Sequence, residues 1–182
     1  MKFSFFRAVI ILMLIVVSSH FLFGQEITTS NNLNCNAYRY QDRYKTGIPE
    51  YVGSEEIGGL QLYLERFTRE CTNSQYLESA QRLLSIAREK RAESSLFIAK
   101  YYLKQYEEHR RGLKGATSRL REITLKYPQF SKMDEVLFLL VKSYLFEKGR
   151  GEAEKYYRLI LAEFPFSNYV CQANQLFQQS KQ

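Results

Sequence analysis

The sequence predicts an all-α fold, a tetratricopeptide-like helical-repeat array, and three observations carry that prediction. Apolar residues recur at steps of three and four through Leu113, Ala116, Leu120, Ile123 and Tyr127, a period that belongs to one face of a helix and not to a strand. The punctuation of the pattern repeats. Tyr127-Pro128 and Phe164-Pro165 stand 37 residues apart, and each proline ends a helix because it has no backbone N–H and drives the preceding residue out of the helical region. The flanks of the two prolines match as well. Tyr157, Ile160 and Phe164 stand where Leu120, Ile123 and Tyr127 stand, and Ala173, Leu176 and Phe177 echo Val136, Leu139 and Leu140. A period in the mid-thirties with two helices per unit marks arrays in which each pair buries its stripe against its neighbours.

Taken in order, the chain predicts three regions. Residues 1–24 read as an export signal: Lys2 and Arg7 form a basic start, 8–17 is an unbroken apolar run, and small or polar residues follow. The run is shorter than the roughly 20 residues of a membrane-spanning helix. Cleavage can follow Ser19 or Gly24, and left uncleaved the run extended through Phe23 approaches anchor length. Residues 25–53 lack period and read as a flexible linker, a polar lead followed by YRYQDRYKTGIPEY. Aromatics interleaved with cations also suit single-stranded nucleic acid, but an export signal argues against that partner, and a tether or partner-contacting arm is the expectation.

Residues 54–182 hold the array, about five to six helices. Ser54 with Glu55 and Glu56 makes a helix start, a hydroxyl cap followed by acids at the positive end of the dipole, and Ile57, Leu60, Leu64, Phe67 and Cys71 share one face. From Ser74 to His109 there is no proline or glycine. Leu77, Ala80, Leu84 and Ala87 form one seam and Ile98, Tyr102 and Tyr106 another, with REKRAESS between them, so two helices fit, and so does one very long helix whose middle crosses solvent between packed layers. Gly112 turns the chain into the helix of Leu120. Phe130, Ser131 and Asp134 set up the next start as staple, cap and first-turn acid. That helix stops at Gly149 and Gly151, and the last runs from about Asn168 to Gln179 before a polar tail.

Composition is that of a folded protein: 182 residues, 45% hydrophobic and 25% charged, with 14 Tyr, 13 Phe and no Trp. The formal charge of +7 is spread, because Lys and Arg alternate with Glu along most helices. Cys35, Cys71 and Cys171 are an odd number for an oxidising compartment. Cys71 reads as a small buried apolar residue, a Cys71–Cys171 bridge would have to span too much of the array, and Cys35 lies too far past the apolar run for lipidation.

Chemistry has few candidates. His109 is the one histidine outside the signal, beside Arg110 and Arg111, and reads as a surface turn residue. No second ligand or base accompanies it, so no catalytic residue, metal site or cofactor is predicted. Gly58-Gly59 is too short to cradle phosphate. Tyr101, Tyr102, Tyr156 and Tyr157 fall on helical faces and read as core.

The pieces LFIAKYYLKQY, SRLREITLKYP, DEVLFLLVKSYL and EAEKYYRLILAEFPFSNY, with RECTNSQYLESAQRLLSIAREKR upstream, resemble the BamD-like family. These are periplasmic helical-repeat lipoproteins of the outer-membrane β-barrel assembly machinery. The likeness spans residues 57–169 and corresponds to the C-terminal half of that family's array. It implies a single long helix over 74–109, a non-enzymatic role at the periplasmic face of the outer membrane, and the β-barrel insertase as partner. An arginine at the head of the helix before Tyr-Pro faces the insertase in the family, and the matching residue is Arg119; the family's usual amide just before it is Ser118 here. The chain departs from the family in lacking a cysteine at the signal's end and the N-terminal repeats associated with client recognition.

Overall fold

In a computed structural model of the chain, the described residues are 33–36, 38, 40, 42–50 and 52–179. The signal-like stretch 1–24, the polar lead 25–32 and the tail 180–182 lie outside them. Among the described residues the secondary structure is helical throughout: α1 (Ser54–Glu70), α2 (Leu77–His109), α3 (Leu113–Lys126), α4 (Met133–Phe146), α5 (Arg150–Glu163) and α6 (Asn168–Gln179). Each helix packs on the next, and α6 also returns to α4.

The expected repeat is present to the residue in its first helix and its turn. α3 and α5 are both 14 residues long, and their first residues, Leu113 and Arg150, lie 37 apart. The turn hydrogen bonds repeat at the same offset. Tyr127 N–H bonds to Ile123, Phe130 to Tyr127 and Met133 to Phe130, and Phe164 bonds to Ile160, Ser167 to Phe164 and Val170 to Ser167, all at 2.8 to 3.1 Å. A third copy joins α1 to α2, where Cys71 bonds to Phe67, Ser74 to Cys71 and Leu77 to Ser74. It was hidden from the sequence because it lies 56 residues from the next one, Cys71 to Tyr127. The difference is housed in α2, whose 33 residues exceed the 14 of α4 by nineteen.

Because of that extra length the molecule has two cores. The first gathers Leu60, Leu64 and Phe67 of α1, Ala80, Leu83, Leu84 and Ala87 of α2, and Tyr38, Tyr44, Ile48 and Val52 ahead of them. The second gathers Ala92, Leu96, Ala99 and Leu103 of α2 with α3 to α6. α4 is its hub, buried from Val136 through Val141, as an apolar helix enclosed on all sides should be. Within each half of α2 the buried residues share one face, Ala80, Leu83, Leu84 and Ala87 in the first and Ala92, Leu96, Ala99 and Leu103 in the second. Between Ala87 and Ala92 the step is five, which turns the buried stripe by about 140° on a helix of 3.6 residues per turn.

Several expectations are corrected here. The polar passage REKRAESS does not cross open solvent. Ala87 and Ala92 in and beside it are fully buried, Arg88 pairs with Glu65 at 3.0 Å, Arg91 donates to the Ser54 carbonyl at 3.2 Å, and Glu93 pairs with Lys132 at 2.8 Å. The second seam is Leu96, Ala99 and Leu103 and not Ile98, Tyr102 and Tyr106, because small alanines admit neighbouring backbones while the tyrosine hydroxyls stay near water. Ser54 is the first helical residue and not the cap; Gly53 holds that place, its carbonyl taking the Ile57 N–H at 3.0 Å. Ser131 does not cap α4 either. Its hydroxyl and N–H both donate to Glu89 of α2, while Phe130 is buried as expected.

The linker 25–53 and the cysteines are corrected as well. The described residues among 33–52 carry no helix, yet they pack: Tyr38, Tyr44, Ile48 and Val52 are buried, and Tyr44 donates to Glu56 at 2.7 Å. Cys71 is buried but not free, forming a disulfide with Cys35 whose Cα atoms lie 5.3 Å apart. Sequence period gave no warning, since an arm without regular structure can still be held by aromatic burial and a covalent link. Gly112, with φ 94°, makes the α2–α3 turn. Gly115 keeps α3 close to α2, for a Cβ there would lie 3.3 Å from the Tyr102 ring.

Leu120→Ala is expected to cost on the order of 2–5 kcal/mol, read as a lower denaturation midpoint. Cys35→Ser opens a loop with a sequence separation of 36, and the expected loss is roughly 3–4 kcal/mol. In hydrogen exchange that loss is concentrated in 33–52 and α1, while α4 keeps its protection.

Candidate interaction surface

Arg119 lies on α3, one residue before fully buried Leu120. On a helix the two stand about 100° apart, so the stripe that fixes α3 in the core also fixes where Arg119 emerges. Its side chain is 45% exposed and pairs with Glu122 at 3.6 Å. Glu122 in turn takes a shorter bond from Lys126, 2.7 Å, and the Lys126 ammonium holds its carboxyl below the usual range. Arg119 is therefore loosely held and available, and Ser118 beside it is exposed.

The outer side of α3 borders a shallow cleft of about 550 Å³ whose walls include Lys114, Arg121, Leu125, Tyr144 and Glu147. Leu125 is 77% exposed there. Arg119 is not among the lining residues. A second cleft, about 340 Å³, opens between the two cores, where Leu84 and Arg88 of α2 meet Lys126, Pro128 and Phe130. Sequence reasoning found neither, since the first is a gap between α3 and the end of α4 and the second a gap between the two cores.

A third hollow of about 210 Å³ lies under the leading segment, between Tyr38, Tyr40 and Tyr44 on one side and Arg82, Leu83 and Ile86 on the other. Tyr40 stacks on Tyr44 at 5.7 Å and meets Tyr63 edge-on at 5.1 Å. The buried Tyr38 hydroxyl finds no hydrogen-bond partner among the described residues. Burial pushes the phenols of Tyr38 and Tyr44 up to about 12, Tyr44 with added help from its bond to Glu56.

His109 ends α2, exposed, with its Nε2 3.8 Å from Glu108. Gly58 and Gly59 are helical residues of α1. Among the described residues no group of three or more His, Cys, Asp or Glu side chains could hold a metal ion, and no helix is long and apolar enough to cross a membrane. The four tyrosines read as core divide: Tyr156 is buried and Tyr157 half-buried, but Tyr101 and Tyr102 are 56% and 36% exposed.

Because the folded phenols of Tyr38 and Tyr44 titrate above the unfolded value of 10, folding favours their neutral forms. Their contribution is fully present below pH 10 and is lost as pH rises through about 12. Denaturation series across this window should show a fall in stability that is smaller in a Tyr38→Phe/Tyr44→Phe variant. An identical fall in both would show that the two phenols do not contribute.

No protein-family model, no curated protein and no solved structure matches this chain.

Proposed function

We propose that this chain is a non-enzymatic scaffold of the BamD-like type, exported to the periplasm. There it takes part in assembling β-barrel proteins into the outer membrane by docking on the barrel insertase. The observation that carries the reading is the threefold recurrence of one helix–turn–helix unit with the same backbone bonds at each turn, the build of arrays that work through their surfaces. The Cys35–Cys71 bridge supports export, since disulfides persist in oxidising compartments. Arg119 supports the docking role: it is exposed, its ion pair with Glu122 is long, and a guanidinium that exchanges such a pair for a desolvated partner carboxylate becomes a hot spot.

A second reading, a helical-repeat adaptor of the envelope with an unrelated partner, is favoured by Ser118 standing where the family has an amide. The two readings separate by what Arg119 touches. A photo-crosslinking residue in its place should capture the insertase under the first reading and a different envelope protein under the second. Arg119→Glu is expected to leave thermal stability within about 0.5 kcal/mol and to abolish co-purification with the insertase. Retained co-purification removes Arg119 from that role.

A further inference from the structure

The stripe that α2 presents to the first core does not end with that core. From Leu83 and Ala87 it runs on, at steps of three and four, through Lys90, Ser94, Phe97, Tyr101, Lys104 and Glu108. The buried face has by then moved to Leu96, Ala99 and Leu103, so the continuation is half-buried at Lys90 and Ser94 and exposed from Phe97 onward. Phe97 is 75% and Tyr101 56% exposed. A strict alternation of three and four is narrower than the stripe of a helix embedded in a globular core, and it is the spacing of a coiled-coil seam.

We infer that this ridge is the contact between two copies of the chain, paired antiparallel along α2. The order of residues selects that occupant. With a twofold axis at the level of Ala99, Phe97 faces the partner's Tyr101, Ser94 the partner's Lys104, and Lys90 the partner's Glu108. Every layer then joins the two alternating seam positions, as antiparallel pairing requires. Aromatics meet at the centre and opposite charges meet at both ends, each contact made twice by symmetry. A parallel pair would set Lys90 against Lys90 and Glu108 against Glu108. Lys90 has no ion partner among the described residues, and Glu108 is held loosely, by Lys104 and His109, each at 3.8 Å. The flanking charges Glu93, Lys100 and Glu107 are committed within the chain, to Lys132, Lys100's partner Glu135, and Lys142. The contact is one helix wide, which places it with transient interfaces.

Sedimentation equilibrium tests this on the chain as purified after export. All samples carry Cys171→Ser, since that exposed thiol could otherwise link copies covalently. Between about 1 and about 500 µM, where contacts of this size associate, the mass should move from one chain towards two. Phe97→Glu should hold it at one chain throughout, with an unchanged circular dichroism spectrum. Lys90→Glu and Glu108→Lys should each weaken pairing at least about fivefold by setting like charges opposite each other. The double reversal should restore it. A single-chain mass at every concentration overturns the inference and leaves the ridge to another partner. So does a Phe97→Glu variant that pairs like the parent, or a double reversal weaker than either single change.

Discussion

The architecture depends on one break in phase, the five-residue step between Ala87 and Ala92 on α2. On either side of it the buried residues share one face of the helix, so the break assigns the two halves of one continuous rod to different sides. In α4, which occupies the same place in its unit, neighbours on several sides are met at one level, and the helix is apolar nearly all round. In α2 the contacts with α1 and α3 are separated along an axis of about 50 Å. The polar residues at the break serve both sides: Arg88 and Arg91 reach α1, and Glu89 and Glu93 reach the start of α4. The passage that looks like a solvent gap in sequence is thus a junction held by charge.

The three turns show what the unit needs and what it leaves free. The position that closes each first helix is Cys71, Tyr127 or Phe164, three different side chains giving its N–H to the carbonyl four residues back. Four residues before the closing residue stand Phe67, Ile123 and Ile160, all fully buried. Where the first unit lacks proline, the disulfide and the Ser74 hydroxyl, which donates to the Cys35 carbonyl at 2.7 Å, fix the corner. Backbone geometry is repeated and the means of enforcing it vary.

Much of this was legible, and for a physical reason in each case. Leu120, Ile123 and Tyr127 announce α3 because one face is buried and the opposite face is wet, which writes a period of 3.6 into the sequence. The 37-residue echo is visible because α3 and α5 have equal lengths and the turns that follow them make the same backbone bonds. The α1–α2 copy escaped, since lengthening one helix destroys register without changing any contact inside the turn. The packing of 33–52 escaped for another reason: Tyr38 is held by the rings of Phe67 and Tyr76 and Tyr44 by the Glu56 carboxylate, and no local period records that. Arg119 was legible as an exposed helical cation, and its loose pairing with Glu122 follows from the three-residue spacing. The clefts on either side of α3 were not, because they are intervals between elements and not properties of any one.

The bridge between Cys35 and Cys71 also decides how the molecule would bear a mechanical load. Tension arriving along the backbone from upstream of Cys35 would cross the sulfur link and pass into the corner ahead of α2, leaving the intervening loop, α1 included, slack. The first unit can therefore be tugged by whatever lies before it without its opening helix being peeled away, and the strain is delivered to α2, the longest of the described helices and the one that both cores share.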